Sequence, residues 1–174
     1  MSIKEIVTEP NSILRRRSNP LEKVDNNLRK LMDDMLETMY KAPGIGLAAV
    51  QIGVLKRIIV IDISKDDQKK NPLFLINPKI TFQSKNTSIY EEGCLSIPGY
   101  FAEIERPAEC AINYIDYYGK QKSLQAKGIL ATCVQHEVDH LDGVLFIDYL
   151  SKLKKNMILK KLKKYKKEIN QIVL

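Results

Sequence analysis

His136-Glu137-Val138-Asp139-His140 contains the only two histidines of a 174-residue chain, and they stand four residues apart. In a helix, residues i and i+4 lie one above the other on a single face, so both imidazoles can present nitrogens to one metal ion. Glu137 flanks that face and can reach a water held by such an ion. A catalytic ion usually takes three protein ligands and keeps a position open for water, so the rest of the chain has to bring a third ligand to this helix. A chain of this length buries roughly 70% of the surface its unfolded form exposes, enough for one core without a disulfide staple. A single domain is expected.

The identity of the third ligand sorts the possibilities. The extended protease motif H-E-x-x-H-x-x-G-x-x-H is incomplete, because Gly143 is present but the final slot is Phe146. Proteases that take a glutamate about one helix downstream need an acid among residues 155–167, and there is none. A thiolate then becomes the candidate. Cys133 shares the helical stripe with His136 and His140, and three groups along one ridge do not make three corners of a tetrahedron. It reads as a small apolar wall beside the metal. Cys110 falls in an alternating segment, the usual setting of a buried structural thiol. Cys94 lies in Glu91-Glu92-Gly93-Cys94-Leu95-Ser96, a glycine-containing turn after extended chain, where it can approach an ion in concert with the two histidines.

Around this helix the periodicities define the remaining elements. Residues 24–40 carry Val24, Leu28, Leu31, Met32, Met35 and Met39 at helical steps, and Pro43-Gly44-Ile45-Gly46 ends that run. Leu55–Ile63 and Leu73–Phe82 read as strands separated by a polar loop, Ser64–Asn71. Residues 86–97 read as extended chain running into a turn at Pro98-Gly99. Residues 108–117 and 121–127 alternate around Tyr118-Gly119 as a hairpin. Ile129–Leu141 is the H-E-x-x-H helix, with Gly143 as its C-terminal cap. The fold class is α+β: antiparallel sheets around that central helix, with an N-terminal and a C-terminal helix. Gly44-Ile45-Gly46-Leu47-Ala48-Ala49-Val50-Gln51 lacks the three glycines of a dinucleotide fingerprint and reads as a close-approach wall with one amide donor, Gln51.

Charge is unevenly placed. The net charge is +7, yet residues 151–174 hold nine lysines and one acid, Glu168, so residues 1–150 are close to neutral. The main fold is therefore not marked as a nucleic-acid binder. Leu153, Met157, Ile158, Leu162, Tyr165 and Ile169 form an apolar stripe opposite the lysines, which describes a basic amphipathic helix (151–174) packed on a catalytic unit (1–150). No apolar run reaches the ~18 residues of a membrane span. Three cysteines without an export signal indicate reduced thiols and a cytoplasmic location.

G-I-G-L-A-A-V-Q at 44–51, E-G-C-L-S at 92–96 and Q-H-E-V-D-H at 135–140 together resemble the three motifs of peptide deformylases, in family order and at similar separations. The resemblance spans about residues 1–170. Only Val50 and the Tyr100-Phe101 stretch fall where members vary. It implies hydrolysis of the formyl group from the formyl-methionine of new polypeptides. Cys94, His136 and His140 would bind one divalent metal ion with water as fourth ligand: ferrous iron in the cell, with zinc, nickel or cobalt as substitutes. One thiolate and two neutral imidazoles would leave that ion at net +1, which lowers the pKa of bound water.

By the same resemblance, Glu137 would be the general base, and the Gln51 side chain and the Leu95 backbone N–H would be the oxyanion donors. Gly44, Ile45, Gly46, Tyr90, Glu92, Gly93, Ile129 and Cys133 would bind substrate. Of these, Ile45 and Gly46 would pair with its backbone, while Tyr90, Ile129 and Cys133 would line the methionine pocket. The expected partners are N-formyl-methionyl peptides and the ribosome near its exit tunnel, reached through the C-terminal helix. DNA binding, membrane insertion and oligomer formation are not expected. Two other readings are carried forward: a general H-E-x-x-H metallopeptidase, and a ribosome- or nucleic-acid-binding module with a structural metal.

Overall fold

The computed structural model describes residues 2–64 and 69–172, with the side chains of Lys167 and of 169–172 outside the description. The middle of the expected polar loop (65–68) and the Ile169 position of the C-terminal stripe therefore lie outside the described residues. The elements run α1 (Asn26–Lys41), β1 (Gly46–Ala48), β2 (Ile58–Ile61), β3 (Leu73–Gln83), β4 (Thr87–Cys94), β5 (Ile97–Pro107), β6 (Glu109–Ile115), β7 (Gln121–Lys127), α2 (Gly128–Leu141) and α3 (Lys152–Ile172). A five-stranded antiparallel sheet has the order β1-β2-β3-β6-β7, and β4 and β5 form a separate two-stranded ribbon. This is the α+β class expected from the sequence.

The sheet is covered on both faces. Leu28, Met32, Met35 and Met39 of α1 pack against Ile58, Val60 and Ile76. Ala131, Val134, Val138 and Leu141 of α2 pack against Ile59, Ile61, Leu75 and Ile112 on the other side. The run Ile58-Ile-Val-Ile61 is apolar without alternation because successive side chains serve opposite cores. α1 begins where the Asp25 carboxylate accepts the Leu28 N–H, a side-chain cap for one of its free donors. α2 stops at Gly143, whose φ of 78° suits glycine and whose Cα lies against the Arg15 carbonyl, leaving no room for a Cβ.

Three details differ from the expectations. The Leu55–Ile63 strand shrinks to Ile58–Ile61, because the buried Asp62 carboxylate accepts from the Tyr40 hydroxyl and from the Ser64 and Asn71 backbone N–H groups and turns the chain away. The expected turn at Pro98-Gly99 moves to Leu95-Ser96: Ile97 pairs with Cys94, and Pro98-Gly99 lies inside β5. Ile97 is fully buried with Ile104, Leu145, Phe146, Ile147 and Leu162, and this third core cluster draws the chain back one turn early. Gly46–Ala48 is a strand pairing with β2 rather than a plain wall. No described helix is long and apolar enough to cross a membrane.

Candidate metal and catalytic centre

α2 is buried along the face that carries His136, Glu137 and His140, all less than 10% exposed. The end of β4 brings Cys94 to that face, and the single helical turn Ala49–Ile52 brings Gln51. The ligand atoms of Cys94, His136 and His140 lie within 4.8 Å of one another, and Cys94 Sγ is 3.1 Å from His140 Nε2. Residues distant in sequence thus converge as the sequence expects. Phe146, in the slot where a protease would place its third histidine, stacks on the His136 ring at 6.3 Å between centroids.

This donor set fits a divalent metal. The His136 Nδ1–H is positioned to donate to Glu92 Oε2 at 2.8 Å, which leaves Nε2 with its lone pair for an ion. Burial alone would lower the His136 pKa, but Cys94 and Glu92 outweigh it and hold it well above the ordinary value. A field that draws a proton to His136 draws a cation to the same atoms. Cys133 lies outside the cluster of three ligand atoms, and burial with the Glu137 and Glu92 charges pushes its thiol well above the ordinary range. Its Sγ sits 3.8 Å from the Ile45 carbonyl.

A cavity of about 510 Å³ opens beside these groups. Gly44, Ile45, Gly46, Tyr90, Gly93, Leu95, Ile129 and Cys133 line it, together with Gln51, Cys94, His136 and Glu137; His140 lies behind. Burial pushes the Glu137 carboxyl up to about 7, the Glu92 charge adding to this and His136 and Arg106 opposing it. Its Oε2 has no hydrogen-bond partner among the described residues. A Cβ on Gly46 would collide with Glu137 Oε1 and lie 2.9 Å from Cys133 Sγ, so only glycine lets β1 approach the acid this closely. Gln51 is aimed by its own backbone turn: its Oε1 accepts the Ala48 N–H at 2.8 Å, and Nε2 faces Ser96 Oγ at 3.2 Å and Cys94 Sγ at 3.5 Å.

Glu92 also borders the cavity, yet its carboxylate is committed elsewhere. Arg106, 3% exposed, donates to both Glu92 oxygens and to Asp139 Oδ2, and Tyr149 closes the network with a 2.8 Å bond to Asp139. Burial pushes the Glu92 carboxyl up, but its contacts with His136 and Arg106 hold it below the usual range. Glu92 therefore stands as a permanent anion behind His136. Arg106, Asp139 and Ser96 are site neighbours that the sequence reading does not pick out, because their contacts join residues distant in the chain. Glu92→Gln is expected to weaken metal affinity roughly 10- to 100-fold while leaving every ligand in place. Competition with a chelator would measure this, and unchanged affinity would remove Glu92 from the support of the site.

A family model described as polypeptide deformylase matches residues 3–156. The peptide deformylase of Pelagibacter ubique is 63% identical over 174 residues, 100% of both chains, and that of Rhizobium meliloti is 56% identical over 164 residues, 94% of both. The crystal structure of peptide deformylase from Ehrlichia chaffeensis superposes with a TM-score of 0.91 at 45% identity, covering 96% of this chain and 98% of that one. The same enzyme in complex with actinonin gives 0.90 at 47% identity, over 95% and 98%.

Proposed function

The chain belongs to the peptide deformylase family, and on that premise we propose how its own residues remove the formyl group from an N-terminal formyl-methionine. The observation that carries the reading is the convergence of Cys94, His136 and His140 beside a buried acid with an unpartnered oxygen and an aimed amide donor. The three ligands would hold a divalent ion, ferrous iron in the cell, with zinc, nickel or cobalt able to replace it. When bound, that ion supplies the positive charge that brings the pKa of water towards neutrality.

The residues then divide the work. Glu137 takes a proton from the attacking water as its oxygen bonds to the formyl carbon. Negative charge develops on the formyl oxygen, where Gln51 Nε2 and the Leu95 backbone N–H donate. Glu137 returns the proton to the amine nitrogen as the C–N bond breaks, giving a free N-terminus and formic acid, which loses its remaining proton to become formate at neutral pH. Ile45 and Gly46 pair with the substrate backbone as an added strand, with Gly44 and Gly93 on the walls beside it, where their missing side chains admit Leu95 and Phe101. Tyr90, Ile129 and Cys133 enclose the methionine side chain. Glu137 acts in its ionised form, so kcat/KM falls on the acid side as it takes up a proton, and a bound cation moves that limb to lower pH.

Turnover of formyl-Met-Ala but not of acetyl-Met-Ala or of a long unformylated peptide is the test. Cleavage within the unformylated peptide would favour a general peptidase. Gln51→Ala is expected to lower kcat roughly 10²- to 10³-fold with a smaller change in KM, since the amide acts on developing charge. A change confined to KM would make it a positioning group for substrate.

We propose also that the enzyme acts as a monomer in the cytoplasm and that α3 brings it to the ribosome. Lys160, Lys163 and Lys166 are exposed, while Leu162 of the same helix is 5% exposed against Phe146 and Ile104. Truncation before α3 would thus strip a core cluster, and the cleaner experiment is lysine replacement. K160Q/K163Q/K166Q is expected to reduce co-sedimentation with ribosomes and to flatten its salt dependence, with formyl-Met-Ala turnover unchanged. Undiminished co-sedimentation would dismiss the anchor.

A further inference from the structure

Between the β4–β5 ribbon and α3 lies a second cleft of about 460 Å³ that none of these steps uses. It adjoins the catalytic cavity, since Glu91 and Phe101 line both. Phe101, 66% exposed, forms the saddle between them, its ring seated so closely on Gly93 that a Cβ there would strike it. One wall of the cleft carries Glu91 and Glu103, directly opposite each other in the ladder. The other carries Lys154, Met157, Ile158 and Lys161, whose three- and four-residue spacing places them on one face of α3. Lys155 pairs with Asp148 and Lys164 with Glu168, whereas Lys154 and Lys161 have no ion-pair partner among the described residues.

We infer that this cleft is a downstream subsite for the substrate polypeptide, taking residues beyond those the catalytic cavity holds and favouring acidic ones. The inference rests on the deformylase reading above. A polypeptide whose formyl-methionine lies at Glu137 is longer than the cavity and has to leave it along the surface, and the shared wall at Glu91 and Phe101 leads directly into the cleft. Exposed Phe101 and Met157, the latter 51% exposed, offer apolar contact along that course. The two walls carry equal formal charge, Glu91 and Glu103 against Lys154 and Lys161, but Lys154 and Lys161 have no ion-pair partner among the described residues and so are the groups in the cleft left for an acidic residue of the peptide to pair with. At physiological ionic strength charges interact over about 8 Å, which keeps the lysines beyond the cleft largely screened.

The test compares kcat/KM of the full-length, metal-loaded enzyme on formyl-Met-Ala-Ser and on that peptide extended by four aspartates, four serines or four lysines. The aspartate extension is expected to exceed the serine extension by roughly three- to tenfold, with the lysine extension lowest and the differences collapsing in 0.5 M salt. K154A/K161A should erase the aspartate advantage while leaving formyl-Met-Ala-Ser unchanged, and K154E/K161E should invert the order. Equal rates for the aspartate and serine extensions in the wild type, or an advantage that survives in K154A/K161A, would overturn the subsite and leave the deformylase reading intact. A wild-type enzyme that fails to turn over formyl-Met-Ala-Ser would overturn that reading, and the subsite with it.

Discussion

Glu137→Gln is expected to keep its metal and lose roughly 10²- to 10⁴-fold in kcat, because all three ligands remain while the proton acceptor is gone. The structure adds a second readout. The folded carboxyl sits at about 7 where an ordinary glutamate sits at 4.5, so its charged form is disfavoured by the fold. That cost is absent while the group is protonated, below its ordinary pKa. It grows as pH rises and is fully present above the folded value. At roughly 1.4 kcal/mol per pKa unit it amounts to about 3 kcal/mol in the metal-stripped protein. Stripped Glu137→Gln should therefore unfold at a higher temperature than the stripped wild type at pH 8, and the gap should close towards pH 4. Activity near normal would end the mechanism. A stability gap that did not change with pH would mean that burial does not strain this acid.

Cys94→Ala and His140→Ala are expected to do something different: each should lose the metal and with it all measurable deformylation. A ligand that binds only the folded state stabilises it by mass action, so the thermal shift on adding metal should also vanish. Metal analysis and melting curves with and without added ion would show both effects. Full retention of one ion per chain in either variant would remove that residue from the ligand set. Glu92→Gln provides the contrast, since excess metal should restore its activity.

The grouping of Cys94, His136 and His140 was more legible in the sequence than the scaffold that brings them together. His136 and His140 are local, and helical geometry alone brings them together. Cys94 followed from eliminating the protease patterns. α1 was readable because its methionines repeat and Asp25 caps it. β1 was not, because three residues carry no period and the strand exists only through pairing with β2. The reversal at Leu95-Ser96 was misplaced because Pro98-Gly99 is the stronger local turn signal, and burial of Ile97 in the third core overrides it. The network behind His136 was invisible for a similar reason: Arg106 meets Asp139 across 33 positions and Glu92 across 14, and nothing near Arg106 announces either partner.

The order of the five-stranded sheet has a bearing on how the protein keeps company with itself. A sheet edge exposes unpaired backbone groups that can recruit a neighbouring chain. One edge here is β7, whose exposed positions include Lys122 and Lys127, charges that a second strand would have to bury. The other is β1, only three residues long, too short to template a growing stack yet long enough for the first residues of a peptide. Under the proposed reading, the edge that would take a newly made chain is thus the short one, and the longer edge is the one guarded by charge.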